Sequence, residues 1–364
     1  MSTVGDQLEL LAPALAFLLA AVPLAHLLGD LGFFDAVARR VSHRVDGVWP
    51  WWLLAAATTA VLNLDTTVVL LTPLYLRIAR RRGDDPMVLA VVPLLLANLA
   101  SSVLPVSNLT NLIAAERFDL RAGDLLVGLG PATVAMLAVG FVTHRRWAAD
   151  RMVRAPVAAG SASPVIELPA GTDGDEAGDG RALWVGGLVV AGLLVAFVLG
   201  PVVGLPAWAA VVVADVILIG VCRTVPWRSV PLATAAAVAA LAAVVAVVVP
   251  GDTLGELFDR GGAQGALIGS LGAAALTAAV DNLPALLAIL QGIETRDAVL
   301  PVLLGVNAGA VLTPIGSLAN LLWLRTARRA DLDVGWGDVL RIGLVVGAPA
   351  FLTGVAVLTL QRAL

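Results

Sequence analysis

LNLDTTVVLLTP, residues 62–73, carries a single carboxylate, Asp65, the only charged side chain between Asp46 and Arg77. The surroundings are apolar: 59% of the 364 residues are hydrophobic and 14% are charged, against roughly 25% charged in ordinary soluble domains. That composition places the chain in a bilayer. A charge at the centre of a membrane helix costs about 2.5–3.5 kcal/mol on insertion scales, so a lone Asp there points to an ion pathway. The competing reading is local, with Asp65 as the N-cap of a helix beginning at Thr66.

Working outward, apolar stretches near the roughly 20-residue length that crosses a bilayer as helix predict complete spans. They cover Leu10–Leu28, Met87–Leu112, Asp124–His144, Leu183–Gly200, Pro206–Cys222, Val230–Val249, Ala298–Leu324 and Val339–Leu360. The N-terminus lacks the basic lead of a signal peptide, so Leu10–Leu28 reads as the first span. Two blocks, Val48–Leu76 and Gly265–Ile293, are too long for one span, too short for two, and interrupted by a polar tip. At 1.5 Å per residue Val48–Leu62 reaches about 22 Å of a core about 30 Å thick. Both blocks are expected to be re-entrant hairpins. The amphipathic runs GDLGFFDAVARRVSHR and GDTLGELFDR, which precede them, are expected at the membrane interface.

Cytoplasmic loops carry the basic excess. With both termini outside and each hairpin returning to its own side, all but five of the 23 arginines (Arg117, Arg121, Arg260, Arg296 and Arg362) fall inside. A single crossing at either block would scatter that bias. The first hairpin therefore enters from the cytoplasm and the second from outside. The polar, Gly- and acid-rich segment Ala148–Arg181 reads as a cytoplasmic linker between halves.

The halves repeat. A shift of 209 superposes Asn98, Pro105 and Asn111 on Asn307, Pro314 and Asn320; a shift of 219 superposes Thr58 and Asn63 on Thr277 and Asn282. Entry from opposite faces makes these repeats inverted, as in secondary transporters with a midplane site. The predicted organisation is a first repeat over 1–146, a linker over 147–182, and a second repeat over 183–364 with two extra spans. The fold class is an all-α integral membrane protein: an inverted-repeat secondary transporter with about eight spanning helices, two re-entrant hairpins and two broken helices. The breaks are expected at Pro105 and Pro314, where a missing N–H and a ring clash interrupt the helix. Broken backbone is tolerated in a bilayer only when buried in protein or lining a cavity, so its amides and carbonyls can face a solute. Alternatively, Asn and Ser in such helices merely join helices or cap their ends. Asp281 is the only charge between Arg260 and Glu294; Asp215 lies midway along a span and belongs to neither tip nor break.

Several chemistries are excluded. The only cysteine, Cys222, rules out an internal disulfide and a three-thiol site. A Walker A loop needs lysine, and the chain has none, so energy must come from an ion gradient or a separate subunit. His26, His43 and His144 fall near predicted interfaces rather than at the tips, which argues against an enzyme. No cofactor or metal site is expected.

The runs DLGFFDAVARRVSHRV, LNLDTTVVLLTP, VSNLTNLIAAERF, DNLPALLAIL and LTPIGSLANLLWL, in that order, resemble the arsenical pump membrane protein family of arsenite and antimonite efflux permeases, within the wider ion transporter superfamily. The resemblance covers about Leu31 to Leu360. It implies that Asn63, Asp65 and Thr66 form the first tip and Ser107, Asn108 and Asn111 the first break. Asp281, Asn282 and Pro284 match the second tip; Thr313, Gly316, Ser317 and Asn320 match the second break. Such members commonly carry Asn where this chain has Asp281. They also have in both halves the span pair found here only in the second, so the chain looks short at its N-terminus. Arsenite near neutral pH is an uncharged trihydroxide suited to amides and hydroxyls. The implied function is plasma-membrane arsenite or antimonite efflux, with Asp65 and Asp281 coupling it to protons. A sodium/proton antiporter and another small-anion transporter of the same superfamily are the alternatives. The expected partners are a small-molecule or ion substrate and the lipid bilayer. A second copy of the chain and a separate soluble ATPase subunit are candidate protein partners, and no nucleic acid is expected.

Overall fold

A computed structural model describes residues 4–42, 47–154, 176–248 and 252–364. Among them the regular structure is helical. The first half comprises α1 (Val4–Asp30), α2 (Phe33–Ser42), α3 (Trp49–Leu62), α4 (Leu64–Arg82), α5 (Pro86–Leu99), α6 (Leu109–Phe118) and α7 (Ala122–Arg154). Next come α8 (Glu176–Leu199), α9 (Ala207–Cys222), α10 (Leu232–Val248) and α11 (Asp252–Phe258). The chain ends with α12 (Gly262–Val280), α13 (Asn282–Leu290), α14 (Arg296–Ala308), α15 (Leu318–Arg329), α16 (Trp336–Ile342) and α17 (Ala348–Gln361). Six helical stretches are long and apolar enough to cross a membrane, and apolar side chains such as Val127, Trp184, Val244 and Leu352 lie exposed on them.

Both predicted hairpins form. Asn63 alone separates α3 from α4, and Asp281 alone separates α12 from α13. The Tyr75 hydroxyl donates to the Trp51 carbonyl at 2.6 Å and binds the arms of the first hairpin together. The second is lopsided, with arms of 19 and 9 residues; its first arm reaches about 28 Å and is as long as a span. The interfacial helices appear as α2 and α11, one ahead of each hairpin. His43 and residues 155–175 of the linker lie outside the described residues. The helices on either side extend into the expected linker, α7 through Arg154 and α8 from Glu176, where Arg151 pairs with Asp85 and Arg39 with Asp179. His144 is fully buried beside Trp52 and Trp147, with Nε2 2.9 Å from the Val88 carbonyl.

Small residues let the second half pack tightly. A Cβ at Gly305 would strike the Ser270 carbonyl, and one at Gly309 would strike Ala274, so α12 and α14 touch backbone to backbone. Because lipid supplies no hydrophobic force between helices, close packing of this kind holds membrane helices together. The last span is interrupted by a π-helical turn, Gly343–Gly347, whose glycines press against Val311 beside the second break.

Arginine contacts fall into two groups. In one, Arg77 meets Asp35 at 3.0 Å, Arg151 meets Asp85 at 2.9 Å, and Arg80 donates to the Ala330 carbonyl. In the other, Arg117 donates to the Ile293 carbonyl, Arg296 reaches Asp119 and Asp124, and Arg362 pairs with Asp297. Each contact joins segments that the arginine bias assigns to one side. The first hairpin ends in the first group and the second hairpin in the other, so the two enter from opposite ends of the molecule.

Candidate functional site

The tips share an unusual backbone. Asn63 has φ 81° and ψ 170°, and Asp281 has φ 86° and ψ 156°. Non-glycine residues in this region carry about 1–3 kcal/mol of strain. Their amides donate to Thr59 and Thr277 carbonyls respectively, so the tips superpose with a shift of 218. Sequence identity had suggested Asn63 opposite Asn282; the backbone sets Asn63 opposite Asp281.

Capping then separates the two carboxylates. Asn63 Oδ1 accepts from the Thr66 amide at 3.0 Å and caps α4, leaving Asp65 in the first turn with no capping role. Its buried Oδ1 has no hydrogen-bond partner among the described residues. Asp281 is itself the cap of α13, accepting from the Leu283 amide at 3.1 Å. Pro284 lies in the first turn of α13, where a missing N–H removes no helix bond, so it opens a helix instead of breaking one.

The breaks begin before their prolines. α5 stops at Leu99 and α14 at Ala308, and the chain resumes helix at Leu109 and Leu318. Pro105 and Pro314 act on the residue before them, as prolines do: Leu104 and Thr313 are both extended, at φ −132° and −134°. Asn111 Nδ2 bridges the freed carbonyls of Ser101 and Leu104 at 2.7 and 2.8 Å, and Asn320 Nδ2 bridges those of Ala310 and Thr313 at 2.8 and 2.9 Å. All of these partners obey the 209 shift. The two halves also clasp each other: Asn98 Nδ2 donates to Asn320 Oδ1 at 2.8 Å, and Asn307 Nδ2 to Asn111 Oδ1 at 2.6 Å. Ser107 closes its own loop by donating to the Ser101 and Leu104 carbonyls, while a Cβ at Gly316, its counterpart, would strike Ala310.

Tips and helix restarts converge on a cavity of 260 Å³. Asn63, Asp65, Asn108, Asp281, Asn282 and Pro284 line it, together with Thr110, Leu283 and the helix starts at Leu64, Leu109 and Leu318. Four helix N-termini therefore meet there, capped by Asn63, Asn108, Asp281 and Ser317. Thr66, Ser107, Asn111, Thr313, Ser317 and Asn320 are not in its lining, nor are Pro105, Pro314 and Gly316. The opposite wall comes from Phe17 and Leu18 of α1 and Thr234, Ala237, Val238 and Leu241 of α10. Sequence reasoning missed these residues: the apolar ones carry no distinguishing mark on a span, and the single polar one, Thr234, belongs to neither a tip nor a break. Helix N-termini favour negative or electron-rich groups, the two carboxylates favour cations and protons, and Asn and Thr side chains offer both donors and acceptors. Among the described residues no group of three His, Cys, Asp or Glu is assembled.

Curated relatives match along most of this chain. The arsenical pump membrane protein of Yersinia enterocolitica is 26% identical over 96% of this chain and 86% of its own length. That of Escherichia coli K12 is 25% identical over the same shares, and the uncharacterized transporter Rv2684 of Mycobacterium tuberculosis is 26% identical over 81% of this chain and 72% of its own. The resemblance read from the motifs thus extends along nearly the whole sequence. Among solved structures, the Alcanivorax borkumensis YdaH transporter matches 99% of this chain and 87% of its own with a TM-score of 0.57 at 15% identity, a likeness of fold. The chain is a multi-pass membrane protein of the transporter class. A family model described as CitMHS, citrate transporter, matches residues 6–296, and by that match the chain belongs to the CitMHS family of membrane transporters.

Proposed function

We propose that this protein is a plasma-membrane permease that exports arsenite or antimonite by alternating access, driven by protons moving the other way. The reading rests on one observation: two carboxylate-bearing tips and four helix N-termini converge on one small cavity. Asn63, Asn108, Thr110 and Asn282 hold the hydroxyls of the neutral solute. Asp65 takes the coupling proton from outside and releases it inside; Asp281 supports it. Thr66, Ser107, Asn111, Thr313, Ser317 and Asn320 act by shaping the tips and breaks. The domains are an inverted pair, 1–146 and 183–364, with termini outside and the protein acting as a permease and not an enzyme. A second copy and a soluble ATPase subunit are its candidate protein partners.

Two observations favour neighbouring readings. The four helix N-termini suit a small oxyanion, and the paired carboxylates suit sodium. Expression in an arsenite-sensitive host without its own efflux system tests all three. The proposal expects raised resistance and lowered cell arsenic, with growth in high sodium unchanged. Sodium tolerance alone would establish the antiporter instead, and no effect on either would point to another oxyacid, sought by uptake in inverted vesicles.

A further inference from the structure

Asp215 takes no part in the tip-and-break site. It is the ninth residue of α9, AWAAVVVADVILIGVC, whose other side chains carry no charge. Its side chain is 9% exposed, and its Oδ1 has no hydrogen-bond partner among the described residues. It caps no helix and joins none. A carboxylate at that depth is expensive to insert, so a bound proton or cation must offset the cost.

The surroundings choose between them. Asp215 lines a second crevice, of 400 Å³, between α1, α9 and the connection 223–231, walled by Leu19, Pro23, Trp208, Pro226 and Trp227. It is the one charged residue in that lining. A hard metal ion needs six or more oxygens, which one carboxylate does not supply, and an anion would be repelled. A proton alone leaves the crevice without a use. Trp208 and Trp227 are 38% and 78% exposed, and indole faces attract cations. Volumes of about 300–1,000 Å³ with apolar walls and one placed polar group fit a small organic ligand.

We propose that the Asp215 crevice binds a lipophilic organic cation, a quaternary or protonated amine carrying apolar groups, which enters from the bilayer. The carboxylate holds the charge, the tryptophans flank it, and the α1 and α9 walls bury the apolar arms. This site is separate from the transport cavity, although both use α1, with Phe17 and Leu18 facing one and Leu19 and Pro23 the other.

Equilibrium dialysis of the full-length protein in neutral detergent, with tetraphenylphosphonium as probe, tests it. The expected result is saturable binding of about one probe per chain, weakened at least tenfold by Asp215→Asn and unchanged by Asp65→Asn or Asp281→Asn. Should Asp215→Asn fail to elute as a folded species, Trp227→Ala removes an exposed wall and is expected to weaken binding severalfold. Absence of saturable binding overturns the proposal. So does full affinity in folded Asp215→Asn, and loss of binding in the Asp65 or Asp281 variants alone would move the probe to the transport cavity.

Discussion

Asp65 leaves one carboxylate oxygen unpartnered beside the cavity, whereas Asp281 accepts the Leu283 amide and caps a helix. Substitution by Asn should therefore separate them. Asn is as good an N-cap as Asp, so Asp281→Asn is expected to keep its fold and at least half of driven transport. Asp65→Asn retains the shape and one acceptor but cannot ionise; it should insert normally, lose more than nine-tenths of gradient-driven efflux, and retain passive exchange. Vesicle flux at matched expression measures both. Full driven transport by Asp65→Asn would leave its carboxylate structural. The charge in LNLDTT was legible in the sequence as out of place. That Asn63, two residues earlier, takes the cap was not legible, because Asn and Asp are interchangeable on propensity and the choice depends on the positive φ at Asn63.

The broken helices are held by their own asparagines. Asn111 and Asn320 are almost wholly buried, and each supplies two backbone carbonyls with a donor. Replacement by Ala removes these donors and the clasp to the other half: at Asn320 it strands the Ala310 carbonyl, at about 1–3 kcal/mol, whereas at Asn111 Ser107 still serves the Ser101 and Leu104 carbonyls and the loss is the smaller. Asn111→Ala and Asn320→Ala should thus lower the unfolding midpoint in detergent by several degrees. A double-mutant cycle across Asn98 and Asn320 is expected to show coupling on the order of 1 kcal/mol. If Asn111→Ala instead weakened solute affinity with stability unchanged, these side chains would belong to the cavity. Matched spacing revealed that Asn98, Asn111, Asn307 and Asn320 face something polar. It did not reveal that what they face is the opposite half, since a solute and a second copy of the motif ask for the same side chains. The start of each break was misplaced for a related reason: proline is visible in sequence, while the effect of Pro105 falls on Leu104 and the helix has already ended at Leu99.

At the scale of the molecule, hydropathy and arginine bias carried the reading, because both are imposed by the bilayer on every segment alike. The walls of the cavity were invisible for the same reason: Phe17 and Ala237 look like any other lipid-soluble residue until α1 and α10 are placed against the tips. Reporter fusions after Arg82 and Arg154 are expected to read cytoplasmic and one at Glu294 external, matching the two arginine groups at opposite ends of the fold. Positions 82 and 294 on one side would dissolve the inverted repeat.

The clasp between the halves also sets an order of events during synthesis. Asn98 and Asn320 are 222 residues apart in the chain, and Asn111 and Asn307 are 196 apart. A ribosome therefore delivers the first break into the bilayer long before its partners are translated, and the amides of Asn98 and Asn111 wait there without their mates. Asn98 and Asn111 already reach carbonyls of their own half, so what a chain halted before α14 lacks is the cross-half pair alone, and arrival of α14 and α15 completes both breaks at once.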